Sequence, residues 1–321
     1  MTKLPFGLWF LKARSATFPA SANMTAVLDR GEITLFDAGG SGEENHAATR
    51  AALESMGHTV NDVARVLLTH AHADHSGGIS LLRAARPDVS VLIHPRAARM
   101  IESREAFLST FDFALIRELY PDAESQGRRF ADGLERFLVE GACPFEPVAK
   151  AEALDAGSEV RAGSLSFQVL LGEGHAPGHV MFYEPEAKVL IAGDTVGTRL
   201  SWHSPSSGGV SAYLDALERA AGLDVDVILP AHGPILEDAR ARIEALSDKL
   251  RRREDKILGW LRETERSFAE LRVLMTGSDG EQGLFPSVPM LEGHLQRLER
   301  AGRIRREGGS TATSLRIEFV A

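Results

Sequence analysis

The chain has 321 residues, 44% of them apolar and 25% charged, enough material for one large or two smaller soluble domains. A formal net charge of −9 argues against a protein built mainly to coat nucleic acid. The single cysteine, Cys143, excludes an intramolecular disulfide and suits a reducing, cytoplasmic location, and no apolar run reaches the roughly 18–20 residues that span a membrane.

The N-terminal L-P-F-G-L-W-F-L reads as a first strand rather than a leader peptide. Residues 26–40 read as two strands joined by a D-R-G-E turn and closed by a glycine pair. Residues 45–57 carry Ala48, Ala52, Leu53 and Met56 on one helical face, and Gly57 stops them. V-A-R-V-L-L-T (63–69) is an apolar strand that runs directly into T-H-A-H-A-D-H-S-G-G. A helix stopped before Pro87 and a strand at 89–95 follow, with His94 ending that strand. Residues 97–140 read as a long, charged helical insert. Strands return at 165–175, 180–184, 188–194 and 225–232, and this alternation argues for an α/β domain with both sheet faces covered.

The balance of charge then changes. Residues 1–235 hold 20 basic against 30 acidic side chains, whereas residues 236–321 hold 16 against 15. The tail reads as a long helix (237–261), a shorter one (267–275), a Gly/Pro-rich connection, a helix at 290–302 and two short β-like pieces. That order is the order of a winged-helix module. The expected division is therefore a catalytic domain over 1–240 and a winged-helix-like domain over 241–321.

His70, His72, Asp74 and His75 fall within six positions at the end of an apolar strand. Neutral imidazole and carboxylate suit divalent zinc and iron. On an extended strand end, residues 70 and 72 point the same way, so both rings can meet one ion. Asp74 and His75 lie past the strand and can face a second ion beside it. Four residues cannot complete two sites. Three later strand ends supply candidates: His175 and His179 in G-E-G-H-A-P-G-H, Asp194 in A-G-D-T, and His232 in P-A-H-G-P.

With these motifs in place, the sequence resembles the metallo-β-lactamase-fold hydrolase superfamily, which includes glyoxalase II. The resemblance covers most of residues 20–235 and rests on H-A-H-A-D-H, G-H-A-P-G-H, A-G-D-T and P-A-H-G-P, in the family's order. It implies an α/β fold, a four-layer αββα sandwich with two metals between the sheets. It implies further that His70, His72 and His175 hold the first ion, that Asp74, His75 and His232 hold the second, and that Asp194 bridges them. Zinc is the expected metal, with iron or manganese the alternatives. The residues before His175 depart from the family's T-P-G-H pattern, which keeps His179 as an alternative ligand and otherwise as a residue that supports the ligands or lines the pocket wall. Asp37, in L-F-D-A-G-G, matches an aspartate that the family places beneath the metal loop, where it would orient ligand histidines. A turn-forming aspartate before glycine is the plain alternative.

The implied chemistry is hydrolysis by a hydroxide activated between two metals, with Asp74 both ligand and hydrogen-bond acceptor. A small-molecule ester, thioester or lactone is the expected substrate. The tail motifs R-R-R-E-D-K-I-L (251–258) and H-L-Q-R-L-E-R-A-G-R-I (294–304) are similar to those of a branch that contains a small endoribonuclease. They keep metal-dependent cleavage of RNA, with the tail as nucleic-acid contact, as the alternative. A mononuclear iron dioxygenase acting on persulfides and a binding role with little turnover are the remaining readings. A near-neutral tail favours dimerisation or packing over nucleic-acid contact, so a homodimer is the assembly it would allow. Trp202 and His203, just past Asp194, are the candidate substrate contacts, together with His179. Phe107, Phe111, Phe113 and Tyr120 read as the core of the insert, with a lid lining as the alternative. Tyr213 reads as a packing residue, and Cys143 as neither ligand nor nucleophile.

Overall fold

The computed structural model describes residues 1–13, 20–121, 126–141, 143–278, 280 and 283–320. Parts of the expected insert (122–125) and of the tail connection (279, 281–282) lie outside them. Seven strands form the first sheet in sequence order: β1 (Thr2–Lys3), β2 (Leu8–Leu11), β3 (Met24–Asp29), β4 (Glu32–Phe36), β5 (Val63–Leu67), β6 (Ser90–Ile93) and β7 (Glu152–Ala153). β1 to β4 pair antiparallel and β4 to β7 parallel. The β3–β4 hairpin turns on Arg30 (φ 50°) and Gly31 (φ 89°), the two left-handed residues that a tight two-residue hairpin requires. The second sheet runs β12-β11-β10-β9-β8, from β8 (Glu159–Ala162), β9 (Leu165–Leu171), β10 (Val180–Glu184), β11 (Val189–Gly193) and β12 (Val227–Pro230).

Side-chain alternation builds the layers. On β10 and β11, Val180, Phe182, Val189 and Ile191 face Leu8, Phe10, Val27, Phe36 and Leu67 of the first sheet. Met181, Tyr183, Leu190 and Ala192 face the other way, against α8 (Gly209–Ala221) and the first half of α9 (Ala239–Glu263). The outer face of the first sheet packs Ile33, Leu35 and Val66 on α1 (Glu43–Glu54), α3 (Ile79–Ala85) and α4 (Pro95–Glu102). These are the four layers of an αββα sandwich. On α1 the fully buried positions are Asn45, Thr49 and Leu53, while the expected Ala52 and Met56 are only half-buried.

The insert is helical, as α5 (Arg104–Ser109), α6 (Phe113–Leu119) and α7 (Gln126–Glu140) beyond α4. The tail comprises α9, β13 (Arg266–Ser267), α10 (Phe268–Thr276), α11 (Leu284–Arg300), β14 (Ile304–Gly308) and β15 (Leu315–Phe319), its strands ordered β13-β15-β14. α11 starts inside the segment expected to be a connection. Tail and insert do not have separate interiors. Phe107, Phe113 and Ile116 of the insert share one core with Phe268, Leu271, Leu291 and Leu295 of the tail.

Candidate metal centre

Every candidate ligand stands just past the end of a strand. β5 delivers His70 and His72, and the one-turn helix α2 (Ala73–Ser76) follows with Asp74 and His75. β9 runs into the loop holding His175, β11 ends just before Asp194, and β12 ends before His232. Gly77 and Gly78 then let this loop lie against residues 38–41. A Cβ on Gly78 would stand 2.0 Å from the Ala38 carbonyl oxygen, and one on Gly77 2.2 Å from the Ser41 nitrogen.

Three ring nitrogens converge on one side. His70 Nε2 lies 2.9 Å and His175 Nε2 3.1 Å from His72 Nδ1. On the other side, His232 Nε2 lies 3.2 Å and His75 Nε2 3.7 Å from Asp74 Oδ2. Asp194 faces both groups. Its Oδ2 is 3.2 Å from His175 Nε2, and its Oδ1 is 3.5 Å from His232 Nε2 and 3.8 Å from His75 Nε2. The structure thus brings together the seven residues that the motifs single out as ligands.

Outer partners orient the rings so that the inward nitrogens carry lone pairs. Asp37 accepts hydrogen bonds from the Thr69 amide (2.8 Å), the Thr69 hydroxyl (2.9 Å) and His75 Nδ1–H (2.9 Å). The Thr69 oxygen in turn accepts from His70 Nδ1 at 3.1 Å. His175 Nδ1 donates to the Trp202 carbonyl at 2.8 Å. His75 Nε2 is buried and has no hydrogen-bond partner among the described residues, so it is a donor atom awaiting an acceptor of its lone pair. This orphan atom, three converging imidazoles and a shared carboxylate are the donor set that a divalent cation satisfies.

The electrostatics agree. Burial, reinforced by the neighbouring rings, pushes His70 and His72 well below the ordinary imidazole range, so they stand neutral, as ligands must. Burial also pushes His175 down, with Asp194 opposing it. Burial would raise Asp74, but His75 and His232 outweigh it and bring the carboxyl to about 2. Asp194 is lowered in the same way against its burial, by His232, His175 and His75. His75 is pushed down by burial and up by Asp37, Asp74 and Asp194, and settles at about 10. The three carboxylates thus favour a proton on His75 Nε2, which a cation bound at that nitrogen would displace.

Two expected substrate contacts stand elsewhere. His179 is fully buried beneath the cluster, where its Nε2 accepts from the Asp194 amide at 3.0 Å and its ring stacks on His70 at 4.8 Å. It holds the shared aspartate rather than a substrate. His203 is fully buried as well, with its ring 5.2 Å from His294 of α11 and 6.1 Å from Tyr213 of α8. It does not line the cavity over the cluster. Trp202 does line the cavity over the cluster, as do Phe107 and Phe111, whereas Phe113 and Tyr120 pack in the core behind them. Thr69 carries no signal of its own in the sequence, although it directly precedes the first histidine. Its hydroxyl donates to Asp37, 32 positions earlier, and its oxygen accepts from the His70 ring. Tyr213 packs and donates to the Thr195 carbonyl at 2.9 Å, bracing the Asp194 turn.

Two stacked sheets that gather neutral imidazoles and carboxylates at their strand ends define a class, the metal-dependent hydrolases. The chain belongs to the metallo-beta-lactamase superfamily, whose family model matches residues 17–232. It is similar to a Bacillus subtilis (strain 168) protein named Probable metallo-hydrolase YqjP, 26% identical over 277 residues that cover 83% of this chain and 84% of that one. An Aspergillus fumigatus protein named Atrochrysone carboxyl ACP thioesterase is 25% identical over 204 residues, 64% of this chain and 49% of its own length. Among solved structures, a metallo-beta-lactamase family protein from Thermus thermophilus shares the fold over 99% of both chains, with a TM-score of 0.79 at 23% identity. A beta-lactamase domain protein from Burkholderia ambifaria does so with a TM-score of 0.80 at 23% identity, over 99% of this chain and 94% of that one. Among the described residues no helix is long and apolar enough to cross a membrane.

Proposed function

We propose that the protein is a binuclear metallohydrolase acting on a small ester, thioester or lactone. The observation that carries this reading is Asp194, whose two carboxylate oxygens face different sets of imidazoles. His70, His72 and His175 would hold one ion and Asp74, His75 and His232 the other, with zinc the metal we expect and Asp194 shared. Ions bound there would polarise a carbonyl oxygen and bring a water to the hydroxide state near neutral pH. Asp74, a carboxylate at all physiological pH, accepts a hydrogen bond from the attacking water and aims its lone pair. The water oxygen joins the carbonyl carbon, the C–O or C–S bond breaks, and the leaving group takes up the proton.

A relative named as a thioesterase supports the acyl-transfer chemistry. Charge pairing in the tail supports a packing role for it. Arg306 meets Glu292 at 2.9 Å and Glu299 at 3.0 Å, Arg305 meets Glu318 at 2.8 Å, and Arg297 meets Glu254. These cations are already engaged within the tail.

The test is metal analysis of protein purified without added metal, beside turnover of thioesters, lactones and single-stranded RNA. Two zinc ions per chain with thioester, ester or lactone turnover are expected, and His72→Ala should lose metal and activity together. One iron per chain without hydrolysis, RNA cleavage without ester turnover, or a fully active His72→Ala protein would overturn the reading.

A further inference from the structure

Two cavities meet at the cluster. The larger, about 810 Å³, opens from the His72 side and is walled mainly by Phe107, Phe111, Leu134, Leu138, Trp202 and Phe285. The smaller, about 280 Å³, opens from the His232 side and is lined by Thr198, Ser201 and three glycines. Asp194, Arg199, Leu200 and His232 border both. The reacting centre therefore stands between a large chamber walled by aromatic rings and a small one lined by glycines, two hydroxyl side chains and His232.

The apolar chamber has a shape as well as a polarity. The rings of His72, Phe111 and Trp202 lie within 20° of parallel, at centroid separations of 5.0–5.5 Å. Phe285 meets Trp202 at 5.1 Å and Phe111 at 6.0 Å, tilted by 62° and 58°, and closes one end. It comes from the kinked start of α11, in the tail, where its own backbone is extended. Near-parallel ring faces offer a planar guest offset stacking that they do not offer a sugar, whose hydroxyls would be stranded without partners. An acetyl group would fill little of this volume and so gain little from it.

Resting on the hydrolase reading, we propose that the large cavity binds a planar, apolar acyl group of the substrate, of the size of a bicyclic aromatic ring. The polar leaving group lies in the small cavity beside Arg199, and Phe285, supplied by the tail, sets the fit of the acyl group. On a thioester, the carbonyl carbon gains the water oxygen, the C–S bond breaks, and the aromatic carboxylic acid and the thiol are released.

The experiment uses the metal-loaded full-length protein and three probes: the N-acetylcysteamine thioesters of 2-naphthoic and acetic acids, and 2-naphthyl acetate, which reverses the polarity. Binding of 2-naphthoate and of acetate is measured in parallel by calorimetry. The naphthoyl thioester should exceed the acetyl thioester in kcat/KM by at least about tenfold. Phe285→Ala should shrink that ratio about tenfold, chiefly through KM, and Phe285→Leu should restore part of it. Equal rates for the two thioesters, or a preference for 2-naphthyl acetate, would overturn the proposal and leave the hydrolase reading standing. No turnover of any probe, with 2-naphthoate bound and weakened by Phe285→Leu, would leave the cavity assignment standing and remove the hydrolase reading. Neither turnover nor binding of 2-naphthoate would overturn both. If Phe285→Ala fails to fold, the wild-type ratio, the reversed probe and Phe285→Leu still decide.

Discussion

Asp37 takes a left-handed φ of 59°, a conformation that a non-glycine residue adopts at a cost. The position holds its carboxylate under Thr69 and His75, so the backbone carries strain that the metal loop uses. Asp37→Ala should lower metal affinity by about 10–100-fold, and Asp37→Asn should recover part of it, because an amide oxygen still accepts from Thr69. Chelator competition reads both, and an affinity unchanged in Asp37→Ala would remove Asp37 from the support of the ligands. The gathering of His70 and His72, two of the candidate ligands, was legible in the sequence because period-two spacing at a strand end dictates where their side chains go. A supporting place for His179 was one of its expected readings, but its face and that of His203 were not legible. An isolated histidine in a loop carries no signal for the face it turns to, and only the packing of β9, β11 and α8 turns these two inward.

At the scale of elements, α9 and α11 meet over a buried polar group. His294 Nδ1 lies 3.5 Å from Glu254, which also pairs with Arg297, and the His203 ring and Arg253 stand alongside. Burial, with Arg253 and Arg297 adding to it, pushes His294 down to about 3. Its folded-state value lies below its unfolded value, so the unfolded chain binds more protons between them. Stability from this group is complete above pH 6.5 and is lost as pH falls towards about 3. The slope should reach about 1.4 kcal/mol per pH unit, and His294→Gln should flatten it in urea melts taken across that range. An acid limb unchanged in His294→Gln would show that His294 does not contribute. Most strands and helices were legible from apolar periodicity, but four strands were not. β1, β7 and β13 have two residues each, too few to show a period, and β8 offers only Val160 and Ala162 as apolar positions.

At the scale of the molecule, the change in charge near residue 236 suggests a boundary that the interior does not respect. The insert and the tail bury Phe107, Phe113, Phe268 and Leu291 in one core, and α9 packs its first half on the catalytic sandwich and its second half in that core. Unfolding in urea should therefore follow one transition whether read by tryptophan fluorescence, from Trp9, Trp202 and Trp260, or by far-UV circular dichroism. Two separated transitions would show the tail to be an independent unit. This shared interior could not be read from the sequence, because periodicity shows which face of a helix is apolar and not which distant helix will cover it. The chain also joins distant segments across the metal site. Asn23 donates from its side chain to the carbonyls of Pro230 and Gly233, both at 3.0 Å, and from its amide to that of Ala231 at 2.7 Å, while the Ala22 amide donates to Asp74. These bonds span up to 210 positions, so during synthesis the first strands emerge long before their partners exist. A nascent chain can display His70, His72 and Asp74 without the residues that complete their site. Its metal must therefore arrive after translation has passed His232, or be held until then by an incomplete set of donors.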